Sequence, residues 1–105
     1  MNSIHNTHLC VKAKAYIEGK PTVFIVKGRA AQTLVALIKA RTSGIITLEL
    51  SSTWALRLSG YIHLLRNNNN LQIETVKEKH DGGWHGRYVL HTHVEILEIS
   101  EAHEE

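Results

Sequence analysis

The chain has 105 residues, 43% of them hydrophobic and 21% charged, with a formal charge of +2. That length suits one domain with a core of its own, and a single cysteine, Cys10, excludes an intrachain disulfide and suits a reducing compartment. No apolar run approaches the roughly 20 residues of a membrane span, and the start MNSIHNTHL lacks the basic and apolar regions of a signal peptide, so a cytoplasmic protein with no membrane partner is expected.

The small net charge conceals an uneven distribution. Residues 1–26 carry +2 and residues 27–94 carry +5, whereas the five glutamates from Glu95 onward give −5 with no Lys or Arg among them. The basic unit is central and is masked in the total by an acidic end. A basic central unit suits a polyanionic partner.

Residues 1–8 are polar and are expected to be a flexible N-terminus. From Leu9 to Ile17 the side chains alternate, with Leu9, Val11, Ala13, Ala15 and Ile17 on one side, which is a strand period. Glu18-Gly19-Lys20-Pro21 supplies a turn and Thr22 to Val26 is β-branched and aromatic, so residues 9–26 are predicted as a β-hairpin extension. Gly28-Arg29 opens a helix in which Leu34, Leu37, Ile38 and Arg41 keep a three-four spacing, and Gly44 stands as its stop.

Ile45 and Ile46 pull toward strand, and Thr47 is placed to cap a short second helix. Ser51, Ser52 or Thr53 can cap the next helix, Trp54 to Arg66. There Trp54, Leu58, Tyr61, Ile62 and Leu65 form one apolar stripe, and Gly60 stands out as a glycine inside a helix. The four asparagines 67–70 must end it, because Asn tolerates left-handed backbone. A strand from Leu71 to Lys77, the turn Asp81-Gly82-Gly83 and a return strand Arg87 to Leu90 make a second hairpin. Val94 to Ile99 is a further strand or a short helical turn, and residues 100–105 are expected to be an acidic flexible tail.

Helix, short segment, helix and hairpin is the element order of a winged helix-turn-helix. Thr47, then Ile62-His63-Leu64-Leu65-Arg66, then Ile73-Glu74-Thr75 resembles the small winged helix-turn-helix domains of phages and proteobacterial mobile elements over about residues 30–91. The resemblance implies an α+β fold of three helices plus a β-hairpin wing, here spanning residues 27–99 with the N-terminal β-hairpin added. It also implies a DNA-binding, homodimeric transcription regulator without a cofactor. The 53–66 helix would lie in the major groove, with Thr53, Arg57 and Gly60 toward the duplex and Arg66 on the backbone or in a structural pair. The 77–87 hairpin would be the wing, with Lys77, Lys79, His85 and Arg87 on phosphate.

An alternative reading keeps the fold but docks it on a protein, with Trp84 at the hairpin tip as anchor. Eight histidines raise the question of a metal, and His91 and His93 would share a face on a strand. No Cys-x-x-Cys or His-Glu-x-x-His spacing accompanies them, so no metal site is expected. No nucleophile elbow, phosphate-binding loop or paired carboxylate marks an enzyme.

Overall fold

The computed structural model describes residues 9–46, 58–80 and 83–101, except for the side chains of His80, Trp84 and His85. Six strands and two helices fall within these residues: β1 (Leu9–Ile17), β2 (Lys20–Lys27), α1 (Gly28–Ala40), β3 (Ile45–Ile46), α2 (Leu58–Asn68), β4 (Ile73–His80), β5 (Gly83–Leu90) and β6 (Val94–Glu101). The short second helix expected after Thr47, and the start of the next helix at Trp54, lie outside the described residues.

The strands form two antiparallel sheets, β2-β1-β6 and β3-β5-β4. In the first, the alternation of β1 is realised: Val11, Ala13 and Ala15 are fully buried, and Lys12 on the other side is exposed. The hairpin turns through Glu18 and Gly19, both at positive φ (53° and 79°), the backbone of a two-residue turn that matches strand twist. The third strand decides an ambiguity of the sequence. Residues from Val94 onward are a strand, not a helical turn, and pair with β1 from Val94↔Ala15 to Glu101↔Leu9. Ser100 and Glu101, where the acidic tail was expected to start, belong to that strand.

The N-terminal hairpin is not an appendage. Leu9, Val11, Ala13, Ala15 and Val26 belong to the same buried cluster as Leu34 and Leu37 of α1, Leu58, Ile62 and Leu65 of α2, and Ile45 and Ile73 of the second sheet. The small Ala13, Ala15 and Ala31 belong to it too, each with no exposed surface. Fully burying one Leu or Ile of this set contributes about 1.5–3 kcal/mol. Thr33 is buried within α1, and its hydroxyl is satisfied by donating to the Arg29 carbonyl four residues earlier at 2.9 Å.

Two chain reversals place the hairpin β4–β5. After α1 and a tight turn (Arg41–Ser43), Gly44 has φ +69°. A Cβ built there would lie 2.6 Å from the Tyr88 carbonyl oxygen. Only glycine lets the chain pass against β5 and enter β3, which pairs Ile45↔Tyr88 and Ile46↔Arg87. At the other end of the fold α2 runs on into the asparagine run to Asn68, and Asn70 then takes φ +57°. The left-handed tolerance of Asn thus ends the helix as the sequence predicts, two residues later than Arg66. Leu71 and Gln72 are link, not strand: Leu71 N–H donates to the Leu65 carbonyl, and Gln72 N–H to the Thr92 hydroxyl at 2.7 Å. The hairpin is longer than expected on the return side, pairing from Ile73↔Leu90 out to His80↔Gly83.

Candidate nucleic-acid interface

Helix α2 buries Leu58, Ile62 and Leu65 and turns Ser59, Gly60, His63, Leu64 and Asn67 outward. Gly60, His63, Leu64 and Asn67 are spaced three, four and seven residues apart and therefore lie on one face. A Cβ at Gly60 would meet nothing within 4 Å. The glycine is thus not required by packing inside the protein; it leaves a bare patch on the outer face. The Asn67 amide donates to the His63 carbonyl at 2.9 Å and lies 3.0 Å from its Nδ1, so the two polar side chains form a coupled pair on that face. Neither residue stands out in the sequence as part of a site. Asn67 reads there as a turn residue, and only its seven-residue distance from Gly60 signals its place on the helix.

The expected basic residues divide into two sets. Arg66 is a structural clasp between helix and hairpin: Nε and Nη2 donate to the Ile73 carbonyl at 2.9 and 2.6 Å, and Nη2 also to the Thr75 hydroxyl at 2.7 Å. Arg87 is a second clasp. Its Nε donates to Glu78 Oε2 at 2.7 Å and its Nη1 to the Ser43 carbonyl at 2.9 Å, which ties β5 to β4 and to the turn after α1. Arg66 thus makes the structural pair that was one of its two expected roles, and Arg87, expected on phosphate, bonds within the molecule.

Lys77 and Lys79 are exposed on β4. By strand alternation they share the face of Thr75, which is the face that Arg66 grips from α2, whereas Arg87 lies with its opposed neighbour Val76 on the other. The clasp therefore brings the two wing lysines and α2 to one side of the domain. Thr53 and Arg57 lie outside the described residues, as do the side chains of His85 and Trp84, of which the structure gives the backbone pairing alone, Glu78↔His85 and Lys79↔Trp84.

Among the described residues the histidines do not assemble. His91 and His93 sit in the link between β5 and β6, not on a strand face, and each meets a different carboxylate: His91 Nε2 lies 2.7 Å from Glu74 Oε1, and His93 Nε2 lies 3.6 Å from Glu95 Oε2. Among the described residues no three His, Cys, Asp or Glu side chains gather where they could hold a metal. No helix among them is long and apolar enough to cross a membrane.

Two helices, a short strand and a long hairpin whose basic face lies beside the second helix define a helix-and-wing domain of the kind that serves DNA-binding regulators. The family model described as a winged helix domain matches residues 23–100, and the chain belongs to that family. No curated protein and no solved structure matches it.

Proposed function

We propose that this winged helix domain is a cytoplasmic, non-catalytic DNA-binding protein, a small transcription regulator that works as a homodimer. The observation that carries this reading is the Arg66 clasp to Ile73 and Thr75, because it sets exposed Lys77 and Lys79 on the same side as α2. Helix α2 would enter the major groove with Gly60 allowing close approach and the His63–Asn67 pair at the base edges, where an Asn amide matches the donor and acceptor of adenine. Lys77 and Lys79 would hold the flanking phosphates and fix the register without reading sequence. Thr53 and Arg57 are the further contacts expected from the sequence. A domain of this size makes few contacts, and a two-fold dimer on paired half-sites doubles them.

The test is binding to a random-sequence duplex across a salt series. Affinity that falls steeply with salt and weakens on K77A/K79A supports the proposal. Absence of binding at low salt overturns it.

A further inference from the structure

Among the described residues the sheet β2-β1-β6 has two open edges, and they are built differently. Strand β6 carries Glu95, Glu98 and Glu101 within eight residues, and its pairing with β1 is broken by a register shift between Lys12 and Ala13. Charges and a bulge are the devices that keep an edge from pairing. Strand β2 has no bulge, and its two lysines and its proline stand at its ends, leaving Thr22 to Val26 without such a device. Its register with β1 runs without a shift from Ile17↔Lys20 to Cys10↔Lys27, and between Lys20 and Lys27 there is no charged residue. Val23 and Ile25 on its outer face are 53% and 56% exposed.

The hydrogen-bonding parity of β2 follows from its turn. A two-residue turn makes Ile17↔Lys20 a bonded pair, so bonded pairs recur at Thr22, Phe24 and Val26. The N–H and C=O groups of Val23, Ile25 and Lys27 then face away from β1, and Pro21, which has no N–H, offers its carbonyl alone. A second β2 laid antiparallel about a two-fold axis at Phe24 sets Val23 against the partner's Ile25 and Pro21 against the partner's Lys27. Every outward donor from Val23 to Lys27 then meets a carbonyl, and the missing N–H of Pro21 falls at the end of the seam. About six backbone bonds form, with an apolar cross-strand pair on each side of the axis.

We infer that β2 is the homodimer seam of this protein and that the partner is a second copy of the chain, joined into a six-stranded sheet β6-β1-β2-β2-β1-β6. This deepens the dimer of the proposed function but rests on the edge geometry and not on DNA. Two β6 strands would set glutamates near glutamates. A β2–β6 joint is not self-complementary and would propagate head to tail, into a ring or an open filament.

Oligomeric state in the absence of DNA, by sedimentation over a concentration series, tests the inference. The wild-type chain should dimerise. The double substitution V23E/I25E sets each new carboxylate beside its own Lys14 or Lys12 across β1, which favours the fold, but against the partner's new carboxylate at the seam. It should raise the dimer dissociation constant by about tenfold or more. The double substitution V23K/I25E should restore the dimer, because the two-fold register sets position 23 against the partner's position 25; its new ammonium also falls beside its own Lys14, so circular dichroism verifies that this variant is folded before its oligomeric state is read. A wild-type chain that stays monomeric or grows past a dimer overturns the inference. So does a dimer that V23E/I25E leaves intact, one that V23K/I25E fails to restore, or one that L97E/I99E on β6 dissolves. Failure of duplex binding with an intact dimer would count against the DNA reading alone.

Discussion

Arg66 and the Ile73 carbonyl are joined by two hydrogen bonds, from Nε at 2.9 Å and Nη2 at 2.6 Å, and this fork fixes where the hairpin stands relative to α2. The bond spans seven residues of chain that contain all four asparagines, so it joins the last turn of α2 directly to the start of β4. A planar fork is what the site uses. Replacing Arg66 by Ala should destabilise the fold by about 1–2 kcal/mol, and Lys should recover only part of that because an ammonium cannot place two parallel donors on one oxygen. Urea denaturation checks both. A loss for Lys below a few tenths of a kcal/mol would show that charge, not geometry, makes the contact.

Gly44 is expected to be the least replaceable glycine of the described residues. Its φ of +69° disfavours any side chain, and the nearest atom to an added Cβ is the Tyr88 backbone oxygen, which cannot swing aside. Gly44→Ala should cost about 2–4 kcal/mol by strain and collision together. A midpoint unchanged in thermal melting would mean that the turn has another conformation.

Gly60 presents the opposite case. With open space around it on an exposed helix face, Gly60→Ala should raise stability by about 0.5–1 kcal/mol. If α2 approaches a duplex through this bare patch, the same methyl should lower DNA affinity. A gain in stability with affinity unchanged would remove Gly60 from the interface.

Lys77→Ala and Lys79→Ala should each weaken duplex binding about equally for all sequences. Each should also reduce the slope of log affinity against log salt by about 0.9 for every phosphate that is no longer neutralised. Their effect on stability should stay within about 0.5 kcal/mol, as for exposed surface positions. A loss of affinity that depends on sequence would mean that the lysines reach base edges.

Arg87→Ala should behave differently from the lysines. Its guanidinium is held by Glu78 and the Ser43 carbonyl, with a quarter of the side chain exposed. The substitution should cost about 1 kcal/mol in stability and leave the salt slope nearly as it was. A reduced slope without a stability change would return Arg87 to the phosphate-binding set.

Much of this fold is legible in the sequence because its signals are local. The alternation of Leu9 to Ile17, the spacing of Leu34 and Leu37, the Gly44 stop and the αL-tolerant asparagines each state their own backbone geometry, and the structure follows them. Val94 to Ile99 is ambiguous in the sequence for the same reason: a short apolar run is strand or helix until a neighbour appears, and that neighbour is β1, almost the whole chain away. The division of the basic residues is legible only for Arg66, which the sequence leaves between the backbone and a structural pair. Arg66, Lys77, Lys79 and Arg87 are alike in charge along the chain. Which groups a cation meets depends on which strand face it occupies and on what the turn after α1 places beside it. The sequence by itself determined the elements, their order and the basic excess at the centre. Only the tertiary structure decided that two arginines hold the molecule together while two lysines lie exposed beside α2, because hydrogen bonds between distant segments exist only once packing has brought them within about 3 Å.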